Sequence, residues 1–146
     1  MPNRASQVIN NTRTALFYFA YASNLNRKQI ASRAPGAKAR YSAMLPNHKL
    51  IFAGWSRSWH GAVASILQSN GDRVNGGLYE VNERDLEQLA QYEGPEYSVT
   101  KVNVFRDTGE VINAVTFVQK QHKDEGRPSS EYLGTIKQGY MDWNLI

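Results

Sequence analysis

The fold is decided by an apolar run near the start of the chain, Leu16-Phe17-Tyr18-Phe19-Ala20-Tyr21. Continuous apolar residues over this length are expected of a strand that is buried on both faces. The next three residues, Ala22-Ser23-Asn24, are small or polar and end the run. Because asparagine is a preferred helix cap, we expect Asn24 to cap a short helix from Leu25 to Arg33. The chain is therefore predicted to begin with a central strand, a tight turn and a helix.

Beyond this helix, extended segments follow one another more often than they alternate with helices. Strands are predicted over Lys38 to Leu45, Lys49 to Ala53, Gly61 to Ser69, Val74 to Val81, Tyr97 to Phe105 and Val111 to Val118. The turn signal Asn70-Gly71-Asp72 should join the third and fourth of these segments as a hairpin. Helices are predicted over Glu83 to Glu93, capped by Asn82, and after Pro128-Ser129-Ser130. Six or seven strands with hairpin-like connections predict an α+β fold with a mainly antiparallel, strongly curled sheet or barrel.

Length and composition limit what this arrangement can be. The chain has 146 residues, of which 41% are hydrophobic and 21% charged, as is ordinary for one globular domain. Residues 1–14 are polar and aperiodic, so we expect a mobile tail ahead of a single domain over residues 15–146. The absence of cysteine excludes a disulfide framework, a thiolate metal site and a cysteine nucleophile. We expect neither a signal peptide nor a membrane helix, and a cytoplasmic location.

One carboxylate, Glu93, falls on the apolar face of the predicted 83–93 helix. Leu86, Leu89 and Ala90 define that face, and Glu93 continues it at helical spacing. Burial and the negative end of the helix dipole would both raise the pKa of this carboxylate. An acid in such an unfavourable position is a candidate functional group. The alternative is that the helix ends early and leaves Glu93 in solvent.

The main chain of the turn after the apolar strand is a second candidate. N–H groups between Tyr21 and Leu25 lack helical partners, so they can bind a carboxylate or an oxyanion. An ordinary strand-to-helix loop is the alternative. The three histidines lie in separate segments without metal-ligand spacing, and no metal site is expected. His60 is expected to be partly buried against its neighbour Trp59.

Short motifs of the chain resemble those of the gamma-glutamylcyclotransferase family. Residues Phe19 to Leu25, FAYASNL, are similar to the YGSNL substrate loop of the family. Tyr92-Glu93-Gly94 resembles the family segment that carries an essential glutamate, and Trp59-His60-Gly61 with the strand after it is similar as well. The resemblance covers about residues 16–135 and implies a small β-barrel with short flanking helices.

The resemblance also implies a reaction and the residues that carry it. The α-amine of a small γ-glutamyl amine or γ-glutamyl amino acid would attack its own γ-carbonyl and release 5-oxoproline without a cofactor. Glu93 would act as the general base and then as the acid. The loop and aromatic walls would bind the substrate through Tyr18, Tyr21, Ala22, Ser23, Asn24, Leu25, Tyr97 and Tyr132. The leaving group would face loops 54–60 and 120–129.

Two residues depart from the family pattern. Ala22 replaces a glycine, which would cost about 1–2 kcal/mol if the position needed a positive φ. Phe117 stands where a tyrosine is common. These departures motivate an alternative, a non-catalytic module that binds a small anionic metabolite in the same pocket. A nucleic-acid binder ranks last because the net charge of +4 comes from scattered residues. We therefore expect a small-molecule substrate and neither nucleic acid nor membrane as partner, and we leave a homodimer open.

Overall fold

The apolar run near the start of the chain forms the first strand of a closed barrel in a computed structural model that describes residues 16–146. The strands are β1 (Leu16–Ala20), β2 (Lys38–Ser56), β3 (Gly61–Val81), β4 (Tyr97–Phe105) and β5 (Val111–Gln119). The helices are a 3-10 helix (Ser23–Leu25), α1 (Arg27–Arg33), α2 (Glu83–Glu93) and α3 (Ser130–Asp142). The tail predicted for residues 1–14 lies outside the described residues.

The strand order around the barrel is β1-β3-β2-β4-β5, and β5 closes on β1. Neighbouring strands are antiparallel except β1 and β5, whose parallel contact pairs Tyr18 with Val115. The prediction of an α+β fold with a mainly antiparallel barrel and short flanking helices is confirmed. Between residues 16 and 146, none of the helices combines the length and the hydropathy that a bilayer crossing requires.

β1 is buried on both faces, as its unbroken apolar run predicts. Phe19 belongs to the cluster that fills the barrel, to which all five strands and α3 contribute. Tyr18 and Ala20 belong to a second cluster, which contains residues of the 3-10 helix, α1 and α2. The turn after β1 adds Tyr21 to the first cluster and Leu25 to the second. β1 is therefore the wall that two cores share.

β2 and β3 form one long hairpin, which corrects two predictions. The segments predicted at 38–45 and 49–53 are parts of β2, and those at 61–69 and 74–81 are parts of β3, so five strands are present in the described chain. The hairpin predicted at Asn70-Gly71-Asp72 is wrong, because these residues form a bulge opposite Asn47 in the ladder. The Gly71 N–H donates to the Asn47 side chain at 3.1 Å, and both residues have a positive φ.

The predicted start and end of α2 and the predicted start of α3 are confirmed. Asn82 and Asp85 form a capping box, in which each side chain accepts a hydrogen bond from the main-chain N–H of the other residue. Gly94 ends α2 with a φ of 89°. Ser129 caps α3 by accepting a hydrogen bond from the Tyr132 N–H. Since α2 remains helical to Glu93, this carboxylate has the position on the helix that the apolar face predicts.

The predicted cap of the first helix is wrong. α1 begins at Arg27, and its cap is Asn26, whose side chain accepts a hydrogen bond from the Gln29 N–H at 2.9 Å. Asn24 lies in the 3-10 helix instead, and its side chain is buried. The reason is that Asn24 makes tertiary hydrogen bonds, described below, that a capping side chain could not make.

The prediction that His60 is partly buried is also wrong. His60 is exposed in the turn between β2 and β3, where it has a φ of 59° and its N–H donates to the Ser56 carbonyl at 2.8 Å. Trp59 packs instead against Tyr132, with 4.9 Å between the ring centroids. The turn therefore separates the two side chains, one toward solvent and one toward the barrel.

α3 packs directly on the segment around the 3-10 helix because Gly139 has no side chain. A Cβ atom added to Gly139 would lie 2.6 Å from the Asn26 nitrogen and 2.6 Å from the Leu25 Cβ atom, closer than such contacts allow. Gly134, on the same helix, is exposed, and a Cβ atom added there would meet nothing within 4 Å. The two glycines make a matched pair for testing this contact.

We expect Gly139→Ala to lower the free energy of unfolding by about 1–3 kcal/mol, since overpacking a filled interior costs this much. Gly134→Ala should raise it by up to about 1 kcal/mol, because alanine is the better helix former. Urea unfolding followed by circular dichroism measures both changes. A Gly139→Ala variant as stable as the parent would contradict the close packing.

Candidate active site

The end of β1 and the end of α2 meet at two adjoining cavities. The inner cavity has a volume of about 20 Å³ and the outer cleft one of about 530 Å³. Ser23, Glu93 and Tyr132 line both of them. Since a volume of about 10–15 Å³ accommodates one water molecule, the inner cavity admits a single small group. A larger ligand would place its head there and its remainder in the outer cleft.

The residues proposed from the sequence lie largely around the inner cavity. Seven of them line it: Tyr18, Tyr21, Ala22, Ser23, Asn24, Glu93 and Tyr132. Tyr97 lines the outer cleft. Leu25 lines neither cavity, because its side chain has no exposed surface and packs in the cluster beneath α1 and α2. The structure therefore brings Glu93 and the turn after β1 to one place.

Two aromatic side chains donate hydrogen bonds to main-chain carbonyls of the turn Ala22–Leu25, here called the 22–25 loop. The Tyr79 hydroxyl donates to the Asn24 carbonyl and the indole N–H of Trp143 to the Leu25 carbonyl, both at 2.9 Å. Within the described chain, the main-chain N–H groups of Ser23 and Asn24 donate to no protein acceptor. Both residues line the inner cavity, and main-chain N–H groups without a protein acceptor can donate to an anionic ligand.

Ala22 does not have the positive φ that its replacement of glycine raised as a concern. Its φ is −137°. The cost foreseen for a positive φ therefore does not arise. Phe117, the other departure from the family pattern, lines the inner cavity and packs edge-on against Tyr18 with 5.5 Å between ring centroids.

The Asn24 side chain links a cation to the carboxylate. Its oxygen accepts hydrogen bonds from Arg33 Nη1 at 3.1 Å and from Gln29 Nε2 at 3.3 Å. Its nitrogen donates to the Tyr18 hydroxyl at 3.0 Å and to Glu93 Oε2 at 3.4 Å. Since the donors from Arg33 and Gln29 fix which end of the amide is the oxygen, the N–H groups must face Glu93.

Glu93 is half-buried at the end of α2 and lines both cavities. Burial raises the pKa of Glu93 from 4.5 to about 7. The positive charge of Arg33 and the hydrogen bond from Asn24 both act in the other direction and lower it. A carboxyl group with this pKa exchanges its proton readily near neutral pH, which suits a group that must first accept a proton and later return it.

Four tyrosines surround this carboxylate. Burial is the main cause that raises the pKa of Tyr18, Tyr21, Tyr97 and Tyr132, and the nearby charge of Glu93 contributes in each case. Their hydroxyls therefore stay protonated, and most are fixed by main-chain groups. Tyr21 donates to the Phe117 carbonyl at 2.5 Å and Tyr97 to the Ala64 carbonyl at 2.6 Å, while Tyr132 accepts from the Ala64 N–H at 2.9 Å.

Sequence reasoning missed Arg33 and the walls of the outer cleft. Arg33 ends α1, lines the cleft and stacks over the Tyr92 ring at 4.9 Å from its centroid. A basic residue in the last turn of a helix is common, so its local pattern gave no signal. Segments 54–60 and 120–129, expected to face a leaving group, also line the cleft, through Gly54, Trp55, Ser56, Ser58, Trp59 and Lys123. Among residues 16–146, no group of three His, Asp or Glu side chains is arranged to hold a metal ion.

Comparisons with known proteins find relatives of this chain in sequence and in fold. The family profile described as "Gamma-glutamyl cyclotransferase, AIG2-like" matches residues 18–141. A human protein named gamma-glutamylcyclotransferase is 33% identical over 138 residues, which cover 90% of this chain and 73% of that protein. A mouse protein of the same name is 33% identical over 135 residues, covering 88% and 71%. A solved structure named gamma-glutamyl cyclotransferase superposes with a TM-score of 0.86 at 32% identity, covering 90% of this chain and 82% of that one.

The raised pKa of Glu93 predicts how stability depends on pH. Between pH 4.5 and about 7 the folded protein binds a proton that the unfolded chain has released, so stability falls as pH rises through this range. We expect Glu93→Gln to be more stable than the parent by about 2 kcal/mol at pH 8, and the difference to vanish near pH 4. Urea unfolding at both pH values measures it.

Glu87→Gln is the matched control, because Glu87 is exposed on the same helix. It should change stability little at either pH. If Glu93→Gln behaved as this control does at pH 8, the Glu93 carboxylate would be solvated.

The positive charge of Arg33 predicts how the pKa of Glu93 responds to a substitution. Removing the guanidinium in Arg33→Gln should move the pKa of Glu93 above about 7, because one of the two influences that oppose burial is lost. NMR titration of the Glu93 carboxyl carbon measures the pKa directly. Arg27→Gln, at the other end of α1, should leave it unchanged, and a lower pKa in Arg33→Gln would contradict this account of the site.

Proposed function

This chain belongs to the gamma-glutamyl cyclotransferase, AIG2-like family, and we propose that it is a gamma-glutamylcyclotransferase that acts on γ-glutamyl amines or γ-glutamyl amino acids. The observation that carries the proposal is that Glu93 and the 22–25 loop line one cavity. The loop offers main-chain donors for an anion, and the carboxylate exchanges a proton near neutral pH.

The reaction needs no nucleophile from the protein. The substrate's α-ammonium gives a proton to Glu93, and the free amine attacks the γ-carbonyl carbon of the same molecule. A new carbon–nitrogen bond closes the five-membered ring of 5-oxoproline. As the bond to the leaving nitrogen breaks, Glu93 returns its proton to that nitrogen. The ring nitrogen passes its own surplus proton to the departing amine, so that a lactam N–H and an ammonium ion remain. Since both reacting groups belong to one molecule, holding them in the right orientation contributes much of the rate.

The 22–25 loop and the tyrosines supply that orientation. The Ser23 and Asn24 N–H groups would donate hydrogen bonds to the substrate's carboxylate or to the oxyanion that forms on the γ-carbonyl. Tyr79 and Trp143 hold the loop carbonyls, so these N–H groups need no reorganisation when the ligand binds. The surrounding tyrosines exclude water, which strengthens each of these interactions.

The direct test is the release of 5-oxoproline from γ-glutamyl-alanine, detected by mass spectrometry. We expect turnover by the parent protein, with kcat/KM falling as pH drops below about 7, because Glu93 must be ionised to act as a base. Glu93→Gln should lower the rate by about 10²–10⁴-fold, and the exposed Glu87→Gln control should not change it.

Two results would contradict the proposal. An unchanged rate in Glu93→Gln would remove that carboxylate from the mechanism. Tight binding of γ-glutamyl compounds by calorimetry, without product from any of them, would identify a non-catalytic binding module instead.

A further inference from the structure

Two tryptophans form an exposed aromatic surface on the wall of the outer cleft. Trp55, at the end of β2, is 73% exposed and lines the cleft. Trp59, in the turn that follows, is half-buried and stacks near Tyr132, which lines both cavities. We call Trp55 and Trp59 the aromatic shelf. An exposed indole beside a cavity is unfavourable in water and is a common feature of surfaces that bind a ligand.

The shelf is fixed in position by the main chain around it. The Gly54 N–H donates to the Asp124 carbonyl and the Gly126 N–H to the Phe52 carbonyl, both at 3.0 Å. The Trp59 N–H donates to the Ser56 hydroxyl at 3.2 Å. These bonds tie the tip of the β2–β3 hairpin to the segment after β5, so the main chain that carries the shelf needs no rearrangement when a ligand binds.

The charged side chains around the cleft include both signs. The cleft is lined by Arg33, Lys123, Glu93 and Glu96, and Lys123 is paired with Glu96 at 2.6 Å. Because two cations and two carboxylates offset one another, net charge favours neither a cationic nor an anionic leaving group. The faces of Trp55 and Trp59 are therefore the feature of the cleft that can discriminate among leaving groups, and they suit an aromatic ring.

The small volume of the inner cavity determines which part of the substrate reaches the shelf. Only a single small group fits beside Glu93 and the 22–25 loop, so the bond that breaks must point toward the outer cleft. Resting on the proposed function, we propose that the aromatic shelf binds the leaving group, and that the enzyme prefers γ-glutamyl compounds whose leaving amine carries an aromatic side chain. Trp55 and Trp59 are then the specificity-determining residues.

The test compares kcat/KM for γ-glutamyl-phenylalanine and γ-glutamyl-alanine. The parent protein should favour the phenylalanine compound. Trp55→Ala should reduce that preference by about tenfold, chiefly through a higher KM for γ-glutamyl-phenylalanine, because a stacked ring contributes binding that is uniform along the reaction. Trp55→Phe should retain most of the preference. Val111→Ala, 52% exposed on β5 and outside the cleft, is the matched control and should leave both values unchanged.

A second measurement separates binding from chemistry. In the Glu93→Gln background, calorimetry should give a lower Kd for γ-glutamyl-phenylalanine than for γ-glutamyl-alanine, and adding Trp55→Ala should remove most of that difference. Turnover of both compounds with a preference that Trp55→Ala does not change would overturn the shelf and leave the proposed function intact. Failure to release 5-oxoproline from either compound would overturn both.

Discussion

The hydrogen bonds of one amide, that of Asn24, make the parts of the site depend on one another. Its oxygen accepts from Arg33 and Gln29, and its nitrogen donates toward Glu93 and Tyr18. The same residue supplies a main-chain N–H at the inner cavity and a carbonyl that Tyr79 holds. A residue that contacts the Glu93 carboxylate, the Arg33 guanidinium and the loop sets their relative positions. The half-buried Glu93 charge, which is unfavourable for folding, is tolerated because these contacts offset part of the cost.

Much of the fold follows from local patterns in the sequence. The β1 run predicts a strand buried on both faces, and Asn82 with Gly94 predicts the bounds of α2, because both signals depend on neighbouring residues alone. The Asn70-Gly71-Asp72 signal misleads, since the residues do bend the chain but a partner across the ladder, Asn47, keeps them within one strand. Where a local sequence pattern is compatible with two structures, a contact with a residue distant in sequence determines which of them forms.

The residues of the site divide in the same way, into those that the local sequence indicates and those that only tertiary contacts identify. Glu93 could be found because an acid on an apolar helix face is anomalous in its own segment. Asn24 and Asn26 are two residues apart and have the same capping chemistry, so only tertiary contacts decide that Asn26 caps α1 and Asn24 faces the carboxylate. Arg33 and Trp55 could not be found, because their importance arises from a cleft that α1, α2 and the β2–β3 hairpin form together.

The parallel contact between β1 and β5 has a consequence for the order in which the protein assembles. Among the strands of residues 16–146, β1 leaves the ribosome before the others and β5 after them, yet Tyr18 must meet Val115 before the barrel is closed. Contacts between residues so distant in sequence form late, because the entropy of closing the intervening chain is lost before they form. The inner cavity has Tyr18 on one of these strands and Phe117 on the other. A nascent chain therefore lacks this cavity until β5 has been synthesised.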